Sequence, residues 1–150
     1  MQWLDYVGQH GGTVVALLLM DRPTASDPLT ILVVSAYTAV CDGLTTLLYT
    51  DPGLKVIGTA QNMNELEAGL LSLKPHVILL DIGVLPDDND MERIRKLGAH
   101  CILLLVNEFD NQALRATLHA DGATRKGMAA QKFLQTIWRT HHNQQNQHAG

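Results

Sequence analysis

Only two cysteines stand in the 150 residues, Cys41 and Cys101, and both lie inside apolar periodic segments far from each other. That excludes a disulfide framework and a zinc knuckle, and leaves small buried thiols in a reducing compartment. Positive charge is also scarce: 11 Lys and Arg against 15 Asp and Glu give a formal net charge of -4. The basic residues are spread along the chain instead of forming a stripe, so contact with nucleic acid is not expected. No long hydrophobic run is present. The apolar stretch from Thr13 to Met20 has about eight residues against the roughly 18 needed for a membrane span. It follows no basic region and precedes no small-residue cleavage pattern, so the chain is expected to be cytoplasmic, without a membrane association. A glycine-rich phosphate loop is missing after the first strand, where Ser35-Ala36-Tyr37-Thr38 stands. No Cys-His or Ser-His pair has a plausible orienting acid. His100 precedes a strand at the edge opposite the candidate site, so the chain is not expected to be an enzyme.

What is present suits one domain: 46% hydrophobic and 17% charged residues are ordinary for a chain that buries a single core. Residues 1–29 read as an N-terminal extension and linker. Gly8, Gly11 and Gly12 break any early helix, and Asp21 to Pro28 has the composition of a turn. Between them, Val14 to Met20 reads either as a short element covering a patch of the domain or a dimer partner, or as a stretch with no fold of its own.

From Thr30 onward, strand-like and helix-like segments alternate with short connections, the pattern of βαβ units around a parallel sheet. The most informative run is His76-Val77-Ile78-Leu79-Leu80-Asp81. A continuous apolar segment that ends abruptly in a carboxylate reads as a buried strand delivering an acid to the sheet's carboxyl edge. Ile31 to Val34 and Ile102 to Val106 should end at the same rim, carrying Ser35 and Ala36 on one and Asn107 on the other. Helices are expected after the first strand, with Val40, Leu44, Leu47 and Leu48 at helical spacing, then from Met63 to Leu73 and from Asn89 to Leu97. A fourth, from Asn111 to Ala120, presents Leu114 and Leu118 and is closed by Asp121-Gly122-Ala123. The last runs from Ala129 to Thr140 with Phe133, Leu134, Ile137 and Trp138 as its stripe. Thr124-Arg125-Lys126-Gly127-Met128 offers no apolar run, so the fifth strand is expected to be shortened or missing. Residues 141–150 read as a polar, disordered tail.

In order and in end residues, Thr30 to Arg139 resembles a two-component receiver domain, most like the receivers of NarL-type response regulators. Ile31 to Val34 with Gly43-Leu44, Leu48 to Ala60, Leu73 to Asp81 and Asp121-Gly122-Ala123 carry the resemblance in register. It implies a flavodoxin-like (CheY-like) doubly wound α/β fold with five parallel strands over residues 30–140. It also implies that Asp81 accepts a phosphoryl group from a histidine kinase with Mg²⁺ neutralising the oxygens in flight, chemistry made of positioning and electrostatics. The family's acid pair at the end of the first strand is replaced here by Ser35 and Ala36. Asp81 and the carbonyl of Gly83 remain, a weak site for a cation that is usually held by carboxylates and waters. Asn107 stands where the family has a Ser or Thr, and its amide can still donate a hydrogen bond. Lys126 matches the family's lysine only across a deletion of about three residues, so nothing obliges it to point into the site. Pro86 lies one place later than the family's proline.

These departures imply a degenerate pseudo-receiver that works by protein–protein contact, displaying the face between the fourth and fifth helices through Asn111, Arg115, Lys132 and Trp138. Trp138 is also a core candidate, and core packing is the favoured of its two readings. The partner is expected to be a protein, either a sensor histidine kinase or an output protein, with a homodimer as a further arrangement. The alternatives are a working phosphoacceptor at Asp81, a small cofactor-binding enzyme on the same rim, and the product of a decaying gene.

Overall fold

The computed structural model describes residues 27–84 and 88–149. Strands β1 (Leu29–Val34), β2 (Leu54–Ala60), β3 (Val77–Asp81), β4 (Ile102–Val106) and β5 (Gly122–Arg125) pair in parallel, in the order β2-β1-β3-β4-β5. This is the flavodoxin-like doubly wound order, with its topological switch between β1 and β3. Between the strands run α1 (Thr38–Tyr49), α2 (Met63–Leu73), α3 (Asp88–Lys96) and α4 (Asn111–Thr117), and α5 (Ala130–Ala149) follows β5.

The apolar strands are buried on both faces because successive side chains point to opposite sides of a sheet. Leu32, Val34, Ile78, Leu80, Ile102 and Leu104 meet Leu66 and Leu70 of α2, Met91 and Ile94 of α3, and Ala113 and Ala116 of α4. On the other face Ile31, Val33, Val77, Leu79, Leu103 and Leu105 meet Cys41 and Leu48 of α1 and Phe133 and Ile137 of α5. Each fully buried side chain of this size contributes about 1.5–3 kcal/mol, so the three inner strands, β1, β3 and β4, carry the largest share of the core's stability.

Local chemistry sets the ends of the helices. Asn62 Oδ1 accepts from the Glu65 backbone N–H at 2.9 Å to cap α2, and α2 stops at Lys74, which is left-handed at φ 50° ahead of Pro75. Asp110 Oδ1 accepts from the Ala113 N–H at 2.8 Å to start α4. After α1, Asp51 Oδ1 accepts from the Gly53 N–H at 2.9 Å, while its Oδ2 accepts from the Trp138 indole N–H at 2.9 Å and so ties the turn to α5.

Of the two alternatives for the fifth strand, the shortened one is found, and three other sequence expectations are corrected. The fifth strand is present, though only four residues long, pairing Leu103 with Gly122 through to Val106 with Arg125. It needs no apolar run because small residues let α5 close over it: a β carbon on Gly122 would lie 2.9 Å from Thr140 Oγ1. Asp121-Gly122-Ala123 consequently does not close the fourth helix, which ends at Thr117; Asp121 instead binds the Ile102 N–H at 2.8 Å and the Arg95 guanidinium at 2.9 Å at the entry to β5. Leu114 and Leu118 are not core residues but are 54% and 81% exposed, while Ala113 and Ala116 face the sheet. A spacing of three or four residues fits either pair, and the Asp110 cap and short side chains select the alanines.

The third correction is the tail. Residues 141–149 continue α5 instead of forming a disordered end. Thr140 and Gln144, one turn apart, are both buried, and His141 stacks edge-on against His76 with ring centroids 6.2 Å apart. Packing against the sheet's amino-terminal edge thus extends a helix beyond its apolar stripe. Most of the 1–29 extension, together with Pro86 and Gly150, lies outside the described residues.

Candidate functional site at the carboxyl edge

Three strand ends converge on Asp81. β3 carries it directly, with Asp81 in register with Leu105 of β4. β1 ends one residue before Ser35, whose backbone N–H is fixed to the Ala60 carbonyl at 2.9 Å. β5 ends at Arg125, and the next residue, Lys126, donates its backbone N–H to the Val106 carbonyl at 2.8 Å. The rim that sequence alone suggested is therefore assembled by parallel register across the sheet.

The carboxylate is 2% exposed and fully engaged. Its Oδ2 accepts from the Ser35 hydroxyl at 2.9 Å and from the Lys126 ammonium at 2.7 Å. Its Oδ1 accepts from the Gly83 backbone N–H at 3.1 Å. A short contact between ammonium and carboxylate is the stronger, charge-assisted kind of hydrogen bond. Ser35, itself fully buried, also accepts the Tyr37 N–H at 3.2 Å, so its hydroxyl is held on both sides. Beside it, the Cys41 thiol lies 3.6 Å from the Ser35 carbonyl. Burial pushes that thiol's pKa up, outweighing the lowering effect of the Ser35 contact.

Of the residues that sequence singled out, Asp81, Ser35, Gly83 and Lys126 meet. Lys126, which nothing in the sequence obliged to point into the site, is directed there: β5 pairs with β4 without a break through Val106 and Arg125, and the next residue reaches Asp81. Asn107 does not join them; it is exposed and makes no hydrogen bond to Asp81. Ala36 is exposed as well. Sequence reading treated Ser35 only as a lost acid. That it donates to Asp81 was signalled by its position at the end of a strand that neighbours β3.

Divalent-metal chemistry of the kind the resemblance implies needs a shell of hard, mostly anionic oxygens. Here a hydroxyl and an alanine stand in place of two acids, and the one carboxylate they would join is already paired with an ammonium. Among the described residues, no group of three or more His, Cys, Asp and Glu side chains is placed to hold a metal ion. The donor set does not fit Mg²⁺. What it can do is hold one carboxylate rigidly between a cation and a hydroxyl.

No protein-family model matches the chain. A protein-glutamate methylesterase/protein-glutamine glutaminase of Colwellia psychrerythraea is 36% identical over 92 residues, covering 60% of this chain but 24% of that protein. The chain thus spans about a quarter of that relative's length. Among solved structures, the response regulator domain of Thermotoga maritima CheB superposes with a TM-score of 0.65 at 20% identity, over 77% of this chain and 97% of that one. A CheY-like receiver domain from Methanospirillum hungatei gives 0.69 at 20% identity, over 81% and 99%. The signal receiver domain of NarL from Mycobacterium tuberculosis gives 0.66 at 17% identity, over 77% and 97%. The chain has the receiver-domain fold of response regulators, in the CheY-like α/β arrangement.

Proposed function

We propose that this chain is a receiver-like module of two-component signal transduction that acts as a pseudo-receiver: a cytoplasmic, non-enzymatic adaptor that binds a protein partner without Mg²⁺ and without phosphorylation of Asp81. The observation that carries this reading is buried Ser35, standing where the family has an acid and donating its hydroxyl to buried Asp81. A nucleophilic carboxylate needs a free oxygen and neutralised surroundings for the incoming phosphoryl group. Here Oδ2 already accepts from the Ser35 hydroxyl, and Ser35 and Ala36 stand in place of the acids that would gather a cation. Lys126 is held in one place by Asp81, which suits constitutive display of a single surface.

The proposed surface is the α4 and α5 face. Asn111, Arg115 and Lys132 are exposed there, and Phe109, Leu114 and Leu118 add exposed apolar area. Trp138 is better assigned to structure, since it is half-buried and bonded to Asp51. A sensor histidine kinase or an output protein is the kind of partner this face would take. One observation favours the second reading, a working phosphoacceptor: Lys126 reaches Asp81 despite the short strand.

Intact mass spectrometry after incubation with acetyl phosphate, with and without Mg²⁺, decides between them. The pseudo-receiver reading expects an unchanged mass for the natural chain and for Asp81→Asn under both conditions. A Mg²⁺-dependent gain of one phosphoryl group, lost in Asp81→Asn, would overturn it.

A further inference from the structure

A cavity of about 270 Å³ opens between α1 and the segment joining β5 to α5. Val40, Leu44 and Leu47 of α1 form one wall, and Leu105 and Phe133 lie at its base, both nearly fully buried. Its charged lining is of one sign: Arg125 and Lys126 border it and no acidic residue does. Lys126 is held by Asp81. Arg125 is exposed and pairs with no carboxylate among the described residues. An apolar hollow with an uncompensated guanidinium at its border complements a molecule that is apolar at one end and anionic at the other.

Gly43 supplies the second observation. It sits inside α1, where glycine is a poor helix former, and borders the cavity. A β carbon there would meet nothing within 4 Å, so packing against the chain's own atoms does not require a glycine. Its effect is to keep the α1 wall open.

We propose that this cavity binds a small amphiphilic anion, an aromatic or branched aliphatic carboxylate, with its apolar body over Leu105 and Phe133 and its carboxylate at Arg125. Ligand pockets commonly run to about 300–1,000 Å³, so this one takes a molecule of about a dozen non-hydrogen atoms. A ligand of that size binds with a Kd on the order of 0.1–1 mM. The site is independent of whether Asp81 is ever phosphorylated. Lys126 belongs to both the cavity border and the Asp81 cluster, so occupancy has a direct physical route to that carboxylate.

Titration of the full ¹⁵N-labelled chain with 3-phenylpropionate, and with its neutral isostere 3-phenylpropionamide, tests this by amide NMR. The expected result is saturable shifts at Gly43 and Gly127, with the carboxylate binding about fivefold tighter than the amide, the worth of one exposed charge pair. Arg125→Gln should abolish that preference while leaving the apolar contacts, and Gly43→Phe should abolish binding of both. No saturable shift up to about ten times the expected Kd, or equal binding of acid and amide to the natural chain, would overturn the proposal. So would a preference that survives in Arg125→Gln, which tests the site even if Gly43→Phe does not fold. Shifts that track protein concentration without ligand would assign the cavity to a second copy of the chain and overturn it as well.

Discussion

Replacing Gly122 by Ala tests how α5 seats on β5, the contact that makes a strand out of a segment without apolar residues. The new β carbon would lie 2.9 Å from Thr140 Oγ1, 3.0 Å from Thr140 Cγ2 and 3.2 Å from Leu103 Cδ1. A threonine has three staggered χ1 positions and two heavy γ atoms, so rotation relieves one contact with Thr140 but not both. Overpacking of this kind costs about 1–3 kcal/mol, and the lower unfolded-chain entropy of Ala returns about 0.4–1 kcal/mol. The net expectation is a loss of about 0.5–2 kcal/mol. Thr140→Ala alone removes a buried methyl and hydroxyl at about 1 kcal/mol. In the double variant both Thr140 contacts are gone and only the end of the Leu103 side chain remains close, at 3.2 Å, so the two losses should fall short of their sum by about 1–2 kcal/mol. Urea unfolding followed by tryptophan fluorescence reads this, and with m of about 1–3 kcal/mol/M the single Gly122→Ala variant moves the midpoint by roughly 0.5–1 M. If Gly122→Ala unfolds at the natural midpoint, or if the two losses add within about 0.5 kcal/mol, then Gly122 is not what lets α5 close over β5.

Three further outcomes are expected. Ser35→Ala removes a buried donor to a carboxylate and should cost about 1.5–3 kcal/mol in urea unfolding; a variant as stable as the natural chain would show that Lys126 and Gly83 suffice to hold Asp81. Burial, then the neighbouring His76 and His142, hold the His141 imidazole below its ordinary pKa, so the folded state resists its protonation. The resulting stability is whole above about pH 6.5 and is lost as pH falls below that value; thermal unfolding across this range should flatten in His141→Gln, and an unchanged slope would remove His141 as the cause. Burial pushes the Cys101 thiol up to about 12, and Cys41 is raised as well, so Ellman's reagent at pH 8 should label neither until urea unfolds the chain. Rapid labelling of the folded protein would contradict the buried placement of both thiols.

The alternation of apolar runs with helical spacing was enough to define the architecture, because strands buried on two faces need a continuous apolar run, and Ile31 to Val34, Val77 to Leu80 and Ile102 to Val106 each supply one. Asp81 was legible for the same reason: a carboxylate at the end of such a run has only the carboxyl edge to occupy. Four features depended on contacts between distant segments. β5 carries no strand signal of its own and exists because Gly122 lets Thr140 approach and because Leu103 to Val106 offer it unpaired backbone. The choice of Ala113 and Ala116 over Leu114 and Leu118 as the buried face of α4 is a matter of helix rotation, which spacing cannot distinguish. The final turns of α5 are held through Thr140, Gln144 and His141, polar residues that no hydrophobic pattern selects. Ser35 and Lys126 are separated by 91 positions in the chain, and only parallel pairing across the sheet brings hydroxyl and ammonium to one oxygen of Asp81. Local composition determined which segments are strands and where an acid emerges; long-range register decided what surrounds that acid, since side-chain geometry at a sheet edge is set by neighbours that the linear sequence does not place together.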